Sequence, residues 1–230
     1  MLKKHLKDFI SLIFPNTCLN CNMSLVEGEE ILCLRCFSDL PLTNYHLVKP
    51  NPVLEYYSTN LKVSDAFSFL KFESKGIAQK LLHQLKYKGY TDVGIKLGEW
   101  FAKHLNEEMA KAKVDFIVPN PLHRDKKRKR GFNQTEFIAI GMSHVLGIPV
   151  RSDMLIRTRN VSTQTKKEKV DRWKNMESLY KIIDPEKCRG KRILLIDDVI
   201  TTGATIGAAA EVIAQSEVES IIIGCIATGK

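Results

Sequence analysis

The residues best suited to chemistry form one segment, Ile193-Leu-Leu-Ile-Asp-Asp-Val-Ile-Thr-Thr-Gly-Ala-Thr205. Its apolar run predicts a buried strand ending at Asp197-Asp198. The carboxyl edge of a sheet is where open α/β folds take ligands. Side by side there, two carboxylates accept hydrogen bonds from vicinal hydroxyls such as those of a ribose. Thr201, Thr202, Gly203, Ala204 and Thr205 then open a helix. Small residues let the backbone bend around an anion, which meets successive N–H groups, Thr hydroxyls and the helix N-terminus. A plain strand-turn-helix with a solvated acidic pair is the alternative, and the whole combination argues against it. The Gly-Lys-Ser/Thr of a Walker loop is absent.

A second group is Cys18-Leu-Asn-Cys21 with Cys33-Leu-Arg-Cys36. A two-residue gap lets both sulfurs of a pair reach one ion from a tight turn, and two pairs complete a tetrahedral thiolate shell, which suits Zn²⁺. With Cys18, Cys21, Cys33 and Cys36 filling every position, such a metal is structural. Disulfides suit an oxidising compartment, and a redox Cys-x2-Cys needs a βαβ setting that is missing here.

The third group is basic. Six of the seven residues 124–130 are Lys or Arg. They follow Asn120-Pro-Leu-His-Arg124, in a predicted loop after the strand Val114–Val118, and lead into Arg130-Gly-Phe-Asn-Gln134. Arg128, Arg130, Asn133 and Gln134 are candidate contacts for phosphate or nucleic acid, while Lys126, Lys127 and Lys129 also suit a plain solvated face. Arg157, Gln164 and Arg172 lie in a polar stretch with few apolar anchors. It reads either as a loop that closes over a charged ligand or as a basic surface loop.

Around these groups the sequence alternates strand and helix patterns. Strands are predicted at 66–72, 114–118, 192–196 and 221–226, and helices at 77–85, 93–105, 132–146 and 203–215. Continuously apolar strands separated by helices imply an α/β fold, a parallel sheet flanked by helices. Residues 1–15 read as an amphipathic helix ended by Pro15, 16–41 as a small zinc ribbon, 42–60 as a linker docked on the main domain, and 61–230 as that domain.

The net charge of +9 is local: residues 1–119 carry +2, residues 120–175 carry +9 and residues 176–230 carry −2. Such an excess points to a polyanionic ligand. No apolar run is long enough to span a bilayer. The charged residues within 1–14 and the lack of a cleavage site speak against an export signal, so the expected location is cytoplasmic.

The segment 193–205 resembles the phosphoribosyl-pyrophosphate (PRPP) signature of type I phosphoribosyltransferases. That resemblance implies that Asp197 and Asp198 meet the ribose and that 201–205 grip its 5-phosphate. It also implies Mg²⁺ arriving with the ligand, and Asn120, Pro121, Leu122, His123 and Arg124 as the pyrophosphate loop. Taken with the four-cysteine module, His83, Leu85-Lys-Tyr-Lys-Gly89, Pro119-x-Pro-Leu-His123, Arg130–Gln134 and the pattern 157–175, the chain resembles the ComF family of competence-associated proteins. Asn120 and Lys167 depart from that pattern, where apolar residues are usual. The resemblance implies a role in natural transformation, handling imported single-stranded DNA, with a DNA-uptake helicase or other competence proteins as partners. Phe132, Trp173 and Tyr180 are candidate stacking residues. The alternative is an active phosphoribosyltransferase moving ribose 5-phosphate onto an amine or base. Its acceptor site would need residues 42–90, since the sequence stops at Lys230 shortly after the last strand.

Overall fold

The computed structural model describes residues 16–57, 62–158 and 179–229. The central sheet has four parallel strands: β1 (Val63–Lys71), β2 (Phe116–Pro119), β5 (Arg192–Ile200) and β6 (Ser220–Thr228), ordered β1-β6-β5-β2. A separate antiparallel pair, β3 (Leu155–Arg157) and β4 (Tyr180–Ile182), forms a small hairpin sheet.

Side-chain alternation divides the core in two. On one face Leu194 and Ile196 meet α2 (Ile77–Tyr87), α3 (Thr91–His104) and α6 (Gln134–Leu146). On the other, Ile193 and Leu195 meet α7 (Ala204–Ala214) and the β3–β4 pair. Burial on both faces explains why the strands are apolar throughout. Two short helices, α1 (Leu34–Ser38) and α4 (Asn106–Ala112), and a further one in the basic run, α5 (Arg124–Arg130), complete the described helices.

The cysteine module is fused to the first face. Cys18, Leu32, Cys33, Cys36 and Leu40 belong to the same buried cluster as Phe69, Leu81 and Phe101. Phe37 meets Trp100 edge-on at 4.8 Å, and Lys96 of α3 pairs with Glu30 at 2.8 Å. Past the module the chain pairs with the outer edge of β1: Lys71 N donates to Pro41 O at 2.7 Å and Thr43 N to Phe69 O at 3.0 Å. It then crosses to the second face, where Val53 and Tyr57 are buried beside Ala66 and Cys225.

Two elements differ from their sequence patterns. The basic run forms α5 rather than a loop. His123 Nδ1 accepts the Asp125 N–H at 3.3 Å to cap it, and Arg128, Lys129 and Arg130 fall in the last turn, where the helix dipole favours cations. β5 does not end at the acidic pair. It runs on to Ile200, with Asp197 opposite Cys225 and Ile200 opposite Thr228.

Candidate functional site

The length of β5 decides the geometry of the acidic pair. Successive strand residues point to opposite faces, so Asp197 and Asp198 diverge instead of lying side by side. Asp197 sits on the α7 face. Its Oδ2 accepts Asn120 Nδ2 at 2.7 Å and its Oδ1 accepts the Asp198 N–H at 2.8 Å. Asp198 sits on the α2/α6 face, buried, and its Oδ2 accepts Lys86 Nζ at 2.9 Å and Gln134 Nε2 at 2.6 Å. Burial, followed by the Asp198 charge, pushes the Asp197 carboxyl up to about 7, against the hydrogen bond from Asn120.

Beyond β5 the chain turns through 201–203 into α7. Asp197 and residues 199–206 line one small cleft there. Thr201, Thr202, Ala204 and Thr205 are exposed, whereas Gly203 is buried with φ +75°. The cap residue Gly203 has no side chain to offer, the Ala204 N–H makes only a long bond to Thr202 Oγ1 at 3.5 Å, and no acidic residue lies in the first turn. The first N–H groups of a helix have no intrahelical partner. Here they open into a cleft floored by small residues, an arrangement suited to an anion.

Asn120 ends the neighbouring strand, and its N–H donates to Ile196 O at 2.8 Å. Thr135 Oγ1 and Asn133 Nδ2 both donate to its carbonyl, at 2.7 and 3.2 Å. Its Oδ1, the Tyr180 hydroxyl and Arg157 Nε are buried atoms without a hydrogen-bond partner among the described residues. The Arg157 guanidinium lies over the Tyr180 ring, 5.5 Å from its centroid. Burial, with the Asp197 charge, pushes the Tyr180 phenol up to about 12, so it stays a neutral donor. These three groups lie near Asp197, with the Tyr180 hydroxyl close enough to Asn120 to interact with it. Tyr180 was not legible as part of this group, because its strand is three residues long.

The remaining candidate residues divide by depth. Asn133 and Gln134 are buried and used internally. Gln134 also accepts from Arg130, whose guanidinium sits 5.6 Å from the centre of the Tyr87 ring. Pro121, Leu122 and His123 are half-buried, and Arg124 and Arg128 are exposed. Tyr180 is only 3% exposed and presents no face for stacking a base, while Phe132 packs edge-on against Phe137. The exposed ring against the basic helix is Tyr87, at 68%, and Tyr90, just beyond it in the chain, is 53% exposed. Gln164, Arg172 and Trp173 lie outside the described residues, as do residues 1–15.

The four cysteine sulfurs lie within 4.8 Å of one another. Cys21 Sγ and Cys33 Sγ are 3.7 Å apart, close to the edge of about 3.8 Å that a tetrahedron of about 2.3 Å metal–sulfur bonds requires. Burial opposes ionisation of Cys18, yet the N–H groups of Cys21, Cys33 and Asn20 bring its thiol down to about 6. Asn20 Nδ2 donates to Cys36 Sγ at 3.2 Å. The set fits one tetrahedral metal ion closed to solvent ligands.

The sequence model of the phosphoribosyl transferase domain matches residues 87–230. The competence protein ComFC of Bacillus subtilis (strain 168) is 34% identical over 201 residues, covering 81% of this chain and 79% of that protein. The DNA utilization protein YhgH of Escherichia coli (strain K12) is 25% identical over 238 residues, covering 94% and 98%. A crystal structure of adenine phosphoribosyltransferase is 19% identical and covers 64% of this chain and 74% of its own, with a TM-score of 0.40. On the domain match over most of its length, and the Bacillus subtilis relative across four-fifths of it, this chain belongs to the phosphoribosyl transferase domain family, in the ComF group that carries an N-terminal four-cysteine module.

Proposed function

We propose that this protein binds PRPP or a related ribose phosphate at the end of β5. In this reading the 201–205 turn takes the 5-phosphate, and Asp197 and Asp198 meet the sugar hydroxyls from the two sides of the strand. The pyrophosphate, with Mg²⁺, lies against the 120–124 segment and Arg157. The observation that carries this is the N-terminus of α7, capped by Gly203 and met only by a long Thr202 Oγ1 contact, opening into a cleft that Asp197 shares. Zn²⁺ is the ion we assign to Cys18, Cys21, Cys33 and Cys36, and its role there is structural.

The physiological role follows the competence relatives: natural transformation, with imported single-stranded DNA handled in the cytoplasm. Support comes from α5, whose residues 124–130 include six basic side chains, and from the exposed Tyr87, whose ring Arg130 of that helix overlies. Arg124 and Arg128 are open to a phosphate backbone, whereas Asn133 and Gln134 act through the residues they hold. The cysteine module exposes Met23, Val26 and Leu34, which suits docking of a DNA-uptake helicase or another competence protein. A second reading, transfer of ribose 5-phosphate from PRPP to an amine or base, draws on the Asp197 carboxyl near 7, poised to exchange a proton at neutral pH.

Calorimetric titration with PRPP and Mg²⁺ tests the pocket. Asp197→Asn with Asp198→Asn is expected to abolish binding while the zinc content stays unchanged. Retention of affinity by the double variant overturns the assignment. Pyrophosphate release with any acceptor establishes the second reading. For DNA, four phosphate contacts on α5 predict a roughly 50-fold loss of single-strand affinity between about 50 and about 200 mM salt. Affinity that ignores salt overturns the nucleic-acid role.

A further inference from the structure

Residues 51–57 form a strap that ends on the proposed phosphate turn. Asn51 fixes its start: Nδ2 donates to Ala66 O of β1 at 2.7 Å, and Oδ1 accepts the Val53 N–H at 3.0 Å. Val53 is fully buried beneath it. The chain then makes a short 3-10 turn, Leu54–Tyr57, and two tyrosines reach α7. Tyr56 Oη donates to the Thr201 carbonyl at 2.9 Å. The Tyr57 ring fills the space above Gly203 and Gly207: a Cβ on Gly203 would sit 2.8 Å from Tyr57 Oη, and one on Gly207 would sit 3.5 Å from Cε1.

Tyr57 is 5% exposed, and its hydroxyl has no hydrogen-bond partner among the described residues. Leaving a buried donor unpaired is costly, and native proteins seldom do so without a reason. Burial and the neighbouring Cys225 and Asp197 push the phenol up, so the O–H stays protonated and able to donate. The strap lies outside residues 87–230, the part matched by the phosphoribosyl transferase domain.

We propose that Tyr56 and Tyr57 are positioning residues for phosphoryl capture. Tyr56 holds the Thr201 carbonyl back, so that the N–H groups of the turn face the cleft. Tyr57 holds an O–H donor beneath the turn, and its acceptor is supplied when the turn closes on the phosphoryl group. The inference rests on the reading of 201–205 as the 5-phosphate site.

Two variants and two ligands test it. Tyr56→Phe and Tyr57→Phe each remove one hydroxyl, and ribose 5-phosphate is compared with Mg²⁺-pyrophosphate by calorimetry. Each variant is expected to bind ribose 5-phosphate about five- to tenfold more weakly. Pyrophosphate affinity should not move. The thermal midpoint of ligand-free Tyr57→Phe should hold or rise, because an unpaired buried hydroxyl is gone. A purely structural role would lower the midpoint and weaken both ligands alike, and that result overturns the proposal. So does unchanged ribose 5-phosphate affinity in both variants. If the unaltered protein binds no ribose 5-phosphate, the reading of the turn fails instead. Should Tyr57→Phe not fold, the partly exposed Tyr56→Phe gives the decision alone.

Discussion

Asp197 is a carboxyl whose surroundings oppose its charge. Burial, and then the nearby Asp198, raise it to about 7, well above the ordinary carboxyl range near 4. Because the folded value is the higher one, the folded state holds the proton more tightly than the unfolded chain. The stability from this group is therefore complete below about pH 4 and falls as pH rises through about 7. In the proposed binding mode, ligand capture runs the opposite way, since a sugar hydroxyl would donate to the carboxylate. Ribose 5-phosphate affinity is expected to rise as pH increases toward about 7 and to level off above, on top of the rise from ionisation of its own phosphate near about pH 6. Titrations across that range check this, and Asp197→Asn should leave only the part of the rise that the ligand phosphate causes. The identity of this residue was legible, because Asp-Asp before Thr-Thr-Gly-x-Thr is distinctive. Its divergence from Asp198 was not: Val199 and Ile200 continue the apolar pattern, but only the pairing with Ala227 and Thr228 extends the strand through the acidic pair. The Lys86 and Gln134 contacts to Asp198 were hidden for the same reason, as they come from a face that a strand end does not define.

Among the elements, α3 and α6 make the closest approach. Gly98 lies against the Ile138 carbonyl and Gly141 against that of Ile95, with no room at either for a Cβ. Backbone rather than a pliable side chain stands in the way, so Gly98→Ala and Gly141→Ala each force the helices apart. Each is expected to cost about 1–3 kcal/mol, the range for overpacking a core, read from urea denaturation midpoints. An unchanged midpoint would mean that the helices sit farther apart than described. Helix existence was readable from apolar spacing for α2, α3 and α6, yet this crossing was not, since a glycine within a helix pattern does not name its neighbour. α5 was not legible because seven charged residues in a row carry no apolar period. The helix is set by its capping His123 and by cations in its last turn, which are end effects.

At the scale of the molecule, the cysteine module and the α2/α3/α6 layer share one core. The module was legible from four cysteines, but its fusion was not, because Leu32, Leu40 and Trp100 look like isolated apolar residues. Removing the metal from such a unit should destabilise the whole chain rather than release a bead. Chelation is expected to lower the single thermal transition and, through the 51–57 strap, to weaken ribose 5-phosphate binding. Two separate transitions, with binding intact, would contradict this. The path of the chain past the module has one more effect. Pro41 and Thr43 occupy the outer side of β1, and Asn51 takes the Ala66 carbonyl. At the opposite rim, Ile117 exchanges hydrogen bonds with Pro149 and Arg151. Unpaired strand rims invite other chains to add on, and here both rims of the parallel sheet are already taken. Among the described residues, a second copy finds no open edge on the parallel sheet, so strand addition there is disfavoured.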